Sequence, residues 1–345
     1  MPIEIIVGLP HLADGPILRR ARAIGVPVLI SANCLSKWST SRGWREWTGW
    51  RLSALANAAG FRSIDLDSAG YSALRRYGGY PWSLDAYMQL AASYPFRRFF
   101  SLDYCVEPEV AGDREEVLDR ISRTIRANRD CRARAVDLGI AEAFCPVLQG
   151  RCPADYERCA DALAWSMMPG SVIGVGSMCR RPVAGPEGLL AVFEHLDRVL
   201  PEGVMLHGFG VKGTALAYLA PLAHRIASID SQAYGIAARQ EALQLGVSKT
   251  DRLVADHLEH WTSRQLDRRS ELAPAHQVEL ALDTPLPAPV GPWEAAIARA
   301  REQIRCLIEE GQLDHNEITA GWIEQWAADQ DEDPDDHSSQ TVRGR

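Results

Sequence analysis

Ser228-Ile229-Asp230-Ser231 is a short, β-prone run that ends in an acid, and Asp230 follows the glycine turn His207–Gly210 by 20 residues. Two similar runs lie upstream and deliver Asp67 and Asp103 at their carboxyl-terminal ends. In a parallel barrel, active sites form at that end of the strands. The three acids are therefore predicted to converge on one pocket.

The fold prediction rests on eight apolar, β-branched runs bounded by turn residues, most of them separated by segments with helical spacing. This alternation predicts a parallel sheet with right-handed crossovers, closed into a (β/α)₈ TIM barrel. An open doubly wound sheet is the alternative, but the glycine turns at 174–176 and 208–210 lack the full GxGxxG spacing. The predicted strands are Ile3–Val7, Val26–Ser31, Ser63–Asp67, Arg98–Asp103, Phe144–Gln149, Ser171–Gly176, Val204–Gly208 and Ile226–Asp230.

Helices are predicted between the strands from apolar spacing and end signals. Pro186 suits a first helical turn, and Gly139 suits a helix stop just after Leu138. Four tryptophans, Trp38, Trp44, Trp47 and Trp50, are spaced for one helical face, with core packing favoured over a base-stacking platform. The clearest predicted helices are Arg45–Ala59, Glu115–Leu138, Asp155–Met167, Pro186–Leu200 and Lys212–Ala223.

Three regions are predicted along the chain: a barrel at residues 1–246, a C-terminal helical appendage at 247–328 and an acidic disordered tail at 329–345. Within the appendage, a proline-rich link at Pro285–Pro289 joins two of the helices. The predicted appendage helices are Thr250–Leu266, Trp293–Glu310 and Glu317–Ala328.

Composition narrows the class of protein. Hydrophobic residues make up 46 % of the 345 residues, enough for a full core, and no run approaches the roughly 18 apolar residues of a membrane span. The amino terminus lacks the features of a signal peptide, which predicts a cytoplasmic protein. The eight cysteines form no CxxC pair and are expected to be reduced. The net charge of −8 argues weakly against broad, nonspecific phosphate binding.

The polar residues at the predicted strand ends suit a planar heterocycle such as guanine. Carboxylates can accept from its N–H edge, while the Gln149 amide and the backbone N–H groups of Gly176-Ser177 can serve its carbonyl. A lone Asp after a strand is more often a helix cap or turn former, and this role is assigned to Asp65 and Asp113. Several such residues at successive strand ends are harder to explain as capping.

The ordered series resembles the tRNA-guanine transglycosylase superfamily over roughly residues 26–245. It consists of Asp67-Ser68-Ala69-Gly70-Tyr71, Asp103, Val147-Leu148-Gln149-Gly150, Ile173-Gly174-Val175-Gly176-Ser177, Gly208-Phe209-Gly210-Val211 and Asp230. Ala69 and Tyr71 depart from the family's Asp-Ser-Gly-Gly-Phe signature. The cysteine-rich zinc motif that follows the nucleophile in the family is missing, since 231–249 contains no cysteine. These departures resemble the divergent branch that acts on DNA.

The resemblance implies that the chain is a pentosyltransferase that exchanges guanine in DNA for a 7-deazaguanine derivative such as preQ0. Asp230 would be the nucleophile, and Asp67 the acid and base. Arg180 and Arg181, after a glycine turn, are candidate contacts to nucleic acid. No metal and no cofactor are expected. The residues implied in substrate binding are Asp103, Gln149, Gly150, Gly176, Ser177, Tyr71, Gly208 and Gly210.

The expected partners are nucleic acid, with DNA favoured over tRNA, and the 7-deazaguanine base. A helicase or ATPase that opens the duplex is a candidate partner, and no membrane partner is expected. Three alternatives stay open: the same exchange on tRNA, of the queuine or archaeosine type; a non-catalytic accessory barrel of the family; and an unrelated barrel enzyme acting on a small carboxylated metabolite. The retained acids argue against an accessory barrel, and the absence of a late phosphate or metal motif argues against the metabolite enzyme.

Overall fold

The computed structural model describes residues 2–42, 44–270, 291–309, 323–324 and 326–327. The chain divides into two compact units, residues 1–275 and residues 276–345. The first unit contains a parallel sheet surrounded by helices, and it carries every residue predicted to form the site.

Strands at all eight predicted positions are confirmed, and their pairings are parallel throughout the large sheet. The strands of the described residues are β1 (Glu4–Leu9), β2 (Val28–Ser31), β3 (Ser36–Ser39), β4 (Glu46–Trp50), β5 (Ile64–Asp67), β6 (Arg98–Phe100), β7 (Phe144–Cys145), β8 (Val147–Leu148), β9 (Val172–Val175), β10 (Met205–Gly208) and β11 (Ile226–Ser231). The sheet has the order β7-β6-β5-β2-β1-β11-β10-β9-β8, and β3 pairs with β4 alone.

The sheet is a nearly closed barrel whose two edge strands are consecutive in the chain. Only Pro146 separates β7 from β8, and a proline has no N–H to donate to a neighbouring strand. The carbonyl of Cys145 accepts from Ser101 on one side, at 2.9 Å, and the carbonyl of Pro146 accepts from Gly174 on the other, at 2.8 Å. The interrupted strand therefore joins both ends of the sheet, and the TIM-barrel prediction is confirmed.

The barrel interior is filled by apolar side chains, among them Ile6, Phe100 and Val147, which are all fully buried. Each such side chain contributes roughly 1.5–3 kcal/mol through burial. Asp65 is also fully buried, near the start of β5, where Arg97 donates to its two oxygens at 2.8 and 2.6 Å. The predicted capping role of Asp65 is wrong, because its side chain forms a buried ion pair within the strand layer.

Helices follow most strands. The helix α4 (Arg114–Asp137) lies within one residue of the predicted Glu115–Leu138 at each end, whereas α5 (Pro153–Ala162) ends before a 3₁₀ turn at Ala164–Ser166 and does not reach the predicted end at Met167. Asp113 caps α4 by accepting from the N–H groups of Glu115 and Glu116, and Gly139 adopts a left-handed φ of 69° beyond its end, so both end signals are confirmed. The helices of the first unit are α1 (Pro16–Ile24), α2 (Gly70–Tyr77), α3 (Leu84–Ala92), α4 (Arg114–Asp137), α5 (Pro153–Ala162), α6 (Leu189–Val199), α7 (Leu216–Leu219), α8 (Ala233–Gln244) and α9 (Asp251–Ser270).

Two helix predictions fail in detail. Pro186 does not open α6, because the chain turns at 184–188 and the helix begins at Leu189. The segment predicted as one helix at Lys212–Ala223 forms only the single-turn α7 between two 3₁₀ turns. Pro221 lies in the second of these turns, where it cannot donate the N–H that a continuing α-helix needs.

The helix predicted at Arg45–Ala59 is wrong. The strands β3 (Ser36–Ser39) and β4 (Glu46–Trp50) pair as an antiparallel hairpin, and a 3₁₀ helix follows at Leu52–Ala58. Gly49 has a φ of 126°, which a helix does not contain, and aromatic residues favour strands. Trp47 and Trp50 pack against Trp82, so tertiary contacts stabilise the strand conformation. The four tryptophans therefore lie on or beside a hairpin rather than on one helical face.

The second unit contributes α10 (Pro292–Glu309), close to the predicted Trp293–Glu310. Of the predicted helix Glu317–Ala328, residues 323–324 and 326–327 are described and helical, while the remainder lies outside the described residues. The proline-rich link and the acidic tail lie outside them as well. None of the described helices is both long enough and apolar enough to cross a membrane.

Candidate active site

The residues predicted to act on a substrate lie at the carboxyl end of the barrel. Asp67 is the last residue of β5, Gln149 follows β8 directly, and Asp230 is the penultimate residue of β11. Asp103 and Ser177 lie in the loops just after β6 and β9. Because all the strands of the barrel sheet are parallel, these positions share one rim.

The three acids are close enough for their charges to interact. The pKa of Asp67 is raised to about 7, mainly by burial, and next by the charges of Asp103 and Asp230. The Ala69 N–H donates to Asp67 Oδ2 at 3.1 Å and opposes the shift only in part. Burial also raises the pKa of Asp103, which is 8 % exposed. Asp67 therefore has the pKa of a group that can both donate and accept a proton near neutral pH.

The glycine turn after β10 holds the Asp230 carboxylate. The Gly210 N–H donates to Asp230 Oδ1 at 3.0 Å, and His207 Nε2 lies 3.4 Å from the same oxygen. Gly210 needs to be glycine, because its φ is 63° and an added Cβ would lie 2.4 Å from the Cβ of Cys179. A Cβ on Gly208 would likewise lie 2.7 Å from Val211. Both predicted glycines thus shape the support of Asp230.

His207 is fully buried below Asp230 and is fixed on three sides. Its ring stacks on Phe100, with centroids 4.9 Å apart, and meets the Phe209 ring edge-on at 4.6 Å. Its Nδ1 lies 2.9 Å from Ser228 Oγ. The ring is therefore held with Nε2 directed towards the carboxylate.

A hydrogen-bonded network joins the residues predicted to recognise the base. Gln149 Nε2 donates to Asp103 Oδ2 at 2.5 Å, and Ser177 Oγ donates to Gln149 Oε1 at 2.7 Å. The Val106 N–H in turn donates to Ser177 Oγ at 2.7 Å. Ser177 has a φ of 58°, so its backbone is held in the left-handed region. Asp103, Gln149 and Ser177 are thus brought together from three successive loops.

Two further residues of this network were missed in the sequence. Ser68 Oγ donates to Asp103 Oδ1 at 2.8 Å, and Tyr80 Oη donates to the Asp103 carbonyl at the same distance. Ser68 lies inside the quoted motif, so its position beside Asp67 was a usable signal. Tyr80 lies in the loop after α2, where nothing in the local pattern points to the site.

Glycines allow the close approach that this network needs. A Cβ on Gly176 would lie 2.1 Å from Gln149 Nε2, and one on Gly70 would lie 2.3 Å from Asp103 Oδ1. Gly150 faces away from the three acids of the site, since an added Cβ would instead meet Asp155 and Tyr156 of α5, at 2.7 and 2.9 Å. Gly176 therefore packs beside the base-recognition network, whereas Gly150 packs against α5.

Tyr71 and Arg180 lie at the mouth of the site. Tyr71 is the second residue of α2 and is 40 % exposed. Arg180 forms an ion pair with Glu109, and its side chain is 16 % exposed. The contact of Arg180 with nucleic acid stays a prediction.

Arg181 is buried, which does not fit its predicted contact with nucleic acid. It is 2 % exposed, and each N–H of its guanidinium donates to a protein acceptor. These acceptors are the carbonyls of Ser177, Arg151, Glu187 and Gly150 and the hydroxyl of Tyr156, at 2.5–3.1 Å. The residue therefore ties the loop after β9 to that after β8, and the predicted nucleic-acid contact is corrected to Arg180 alone.

Among the described residues, no group of three or more His, Cys, Asp and Glu side chains is placed to hold a metal ion. His257, one of two histidines on α9, lies 2.7 Å from Glu241. The segment 231–249, where the superfamily carries zinc ligands, has no cysteine and does not fit that metal. The expectation of no metal and no cofactor stays a prediction.

Comparison with known families gave one match. Residues 19–279, well over half of the chain, match the DpdA family, described as DeoxyPurine in DNA protein A. The match covers every strand of the barrel except β1, and it includes Asp67, Asp103, Gln149 and Asp230. Comparison with the curated proteins gave no match. The chain therefore belongs to the DpdA family and, with it, to the transglycosylases that place 7-deazaguanines in DNA.

Proposed function

We propose that this protein replaces guanine in DNA by a preQ0-like 7-deazaguanine through a covalent intermediate on Asp230. Family membership supports the exchange and the DNA substrate. The observation that carries the mechanism is the contrast between two acids at one rim. Asp230 is oriented by a backbone N–H, while the pKa of Asp67 is raised to about 7. One carboxylate is thus placed to attack, and the other to exchange a proton.

In the first step, an Asp230 oxygen attacks C1′ of the deoxyribose as the bond from C1′ to guanine N9 breaks. Oδ1 is engaged by Gly210, which makes Oδ2 the preferred attacking atom. Protonated Asp67 gives its proton to the departing base, so guanine leaves as a neutral molecule. The products are a glycosyl ester on Asp230 and an ionised Asp67.

In the second step, ionised Asp67 takes the N9 proton of the incoming 7-deazaguanine. That nitrogen attacks C1′, and the ester bond to Asp230 breaks, which restores both acids to their starting states. Two displacements at one carbon preserve the configuration of the sugar, as in a retaining glycosidase. No redox partner and no other co-reactant is needed for this balance.

Base recognition is assigned to Asp103 and Gln149. A carboxylate offers about four lone-pair positions, and Asp103 uses those facing Ser68 and Gln149, which leaves acceptors for the N–H edge of guanine. The second amide hydrogen of Gln149 and the backbone near Ser177 can serve the base carbonyl. Tyr71 is proposed to stack on the base. The target base must be flipped out or single-stranded to reach these groups, and a partner that opens the duplex fits this need.

In the deciding experiment, the purified protein is incubated with radiolabelled guanine together with a polymer, which is guanine-containing DNA in one reaction and total tRNA in another. Label retained in DNA is expected, with a covalent adduct that is lost in Asp230→Ala, a variant whose fold is checked by circular dichroism. Label in tRNA alone would overturn the proposed polymer. Full exchange by Asp230→Ala would overturn the nucleophile, and the absence of both label and adduct would favour a non-catalytic barrel.

A further inference from the structure

The hairpin between β2 and β5 is not used by the proposed chemistry. The paired strands β3 and β4 with the described residues between them, 36–42 and 44–50, are called here the Trp hairpin, and they leave the barrel at the rim that carries Asp67. Loops at this end of a barrel bind substrates, because they surround the carboxyl ends of the strands. Its position therefore raises the question of what it contacts.

The base of the hairpin lies beside the acid. Ser31, the last residue of β2, is in register with Asp67. Next along the chain, Cys34 has its pKa raised to about 11 by burial and by the charge of Asp67, while the charges of Arg76 and Arg51 oppose the shift. Cys34 thus lies among an acid of the site and two arginines of the rim.

Aromatic contacts hold the hairpin in a fixed position. Trp47 and Trp50 pack on Trp82, with ring centroids 6.2 and 5.0 Å apart, and Trp50 Nε1 donates to the Ala86 carbonyl at 2.8 Å. On the other strand, Trp38 lies 4.7 Å from the Tyr77 ring of α2. The hairpin is thereby anchored on α2 and α3, and a fixed element can hold a strand of nucleic acid in register with the pocket.

The surface left exposed is basic and carries an aromatic tip. Lys37, Arg42 and Arg45 are exposed, and Trp44 is 62 % exposed. Segment 32–51 carries four positive residues and one acid, and segment 70–79 of α2 adds two arginines, within a chain of net charge −8. The one acid, Glu46, pairs with Arg42 at 3.3 Å on the surface, a contact weak enough to yield to a phosphate.

An isolated exposed arginine is most often only solvated. Here the positive charge is concentrated against the sign of the whole chain, at the rim of the pocket, around an exposed indole. We infer that the Trp hairpin binds the DNA strand beside the flipped nucleotide, with Lys37, Arg42 and Arg45 on phosphates and Trp44 stacked on a base. This inference rests on the proposed function, because DNA is the polymer it names.

The test compares two triple variants that each remove three positive charges. Lys37→Ala/Arg42→Ala/Arg45→Ala changes the hairpin, and Arg62→Ala/Arg129→Ala/Arg158→Ala changes exposed arginines before β5, on α4 and on α5, away from the rim. Binding of a fluorescein-labelled, guanine-containing single strand is measured by anisotropy over a range of KCl. The full chain is used throughout, and melting curves report whether each variant folds.

The hairpin variant is expected to bind DNA roughly tenfold or more weakly. Its salt slope, the slope of log K against log [KCl], should be flatter by about 2, because each lost phosphate contact on a single strand removes about 0.7. The control variant should bind like the wild type. The exchange reaction should show a raised KM for DNA with little change in kcat. Trp44→Ala, a single exposed change, should bind roughly fivefold or more weakly at an unchanged slope, because stacking does not release counterions.

Each other outcome overturns the inference. If the hairpin variant and Trp44→Ala bind with wild-type affinity and slope while exchange persists, the inference fails and the proposed function stands. If both triple variants weaken binding equally, the effect belongs to net charge rather than to the hairpin. If the wild type neither binds nor labels DNA, the proposed function itself fails, and the inference fails with it.

Discussion

Gln149 Nε2 donates a hydrogen bond to Asp103 Oδ2 at 2.5 Å, so the residues that follow β8 and β6 are joined before any base is bound. The amide oxygen of Gln149 is held by Ser177 at the same time, which fixes the direction of the amide group. The edge that would contact the base is therefore pre-oriented, and little side-chain ordering is left for binding to drive.

Gln149→Ala should weaken guanine binding by at least tenfold, because it removes one partner of the base, deprives Asp103 of a buried donor and deprives Ser177 of a buried acceptor. Stability should fall by about 1–3 kcal/mol for the same reason. Calorimetric titration with guanine and urea unfolding measure the two effects. Ser177→Ala is the control, since it keeps the bond to Asp103 and should weaken binding less. Wild-type affinity in Gln149→Ala would remove this residue from base recognition.

Adduct formation should slow as the pH rises through about 7. The pKa of Asp67 is raised to about 7 by burial and by two nearby acids, and the first step needs its protonated form. Above that pKa the protonated fraction falls about tenfold per pH unit, so the single-turnover rate of guanine release should fall with it. Asp67→Asn should keep base binding and lose this release. A rate that rises with pH between 6 and 9 in the wild type would contradict the assignment.

Strand ends made much of the site predictable from sequence. Asp67, Asp103, Gln149 and Asp230 each follow an apolar run, and parallel topology alone brings such positions to one rim. Tyr80 had no comparable signal, because its contact with Asp103 spans 23 residues and depends on how the loop after α2 folds. The local sequence pattern is enough to predict the strands, whereas the path of a loop depends on tertiary packing.

The tryptophan segment shows how a local pattern can mislead. Trp47 and Trp50 are three residues apart, a spacing that fits one face of a helix, yet both pack on Trp82 from a hairpin with a register shift near Trp38. Such an irregularity changes which residues share a face without leaving a periodic trace. Helix and strand therefore could not be separated by spacing there.

His207→Phe should lower kcat by roughly tenfold with KM nearly unchanged. The phenyl ring keeps the stacking on Phe100 and the edge-on contact with Phe209 but loses Nε2, which lies 3.4 Å from Asp230 Oδ1. A positioning role predicts slower adduct formation with normal base binding. Ser228→Ala, which removes the partner of Nδ1 together with a 3.4 Å contact to Arg98, should give a smaller effect in the same direction. Equal loss of kcat and base affinity in His207→Phe would point to a general disturbance of the barrel.

Ala69→Gly should raise stability by about 0.5–1 kcal/mol. Ala69 has a φ of 71°, a left-handed conformation that costs a non-glycine residue about 1–2 kcal/mol, part of which is offset by the greater unfolded-state entropy of glycine. Thermal and urea unfolding measure the change. Ala73→Gly is the matched control, because Ala73 is helical within α2 and the same substitution there should destabilise. Destabilisation of both variants would contradict the strain at Ala69.

Arg180 and Arg181 are adjacent residues of the same type, yet their substitution should affect different properties. Loss of Arg181 should lower stability, whereas loss of Arg180 should weaken DNA binding. Arg181→Ala should destabilise by roughly 3 kcal/mol or more, because several buried carbonyls lose their donor at once. Arg181→Lys should recover little, since an ammonium cannot reproduce the planar fork. Arg180→Ala should change stability by less than about 1 kcal/mol, because its ion pair with Glu109 is partly exposed. Its effect should instead be a DNA-binding salt slope lower by about 0.7. Urea unfolding and anisotropy titrations give both readouts, and a stable Arg181→Ala with weakened DNA binding would restore the surface role that its burial argues against.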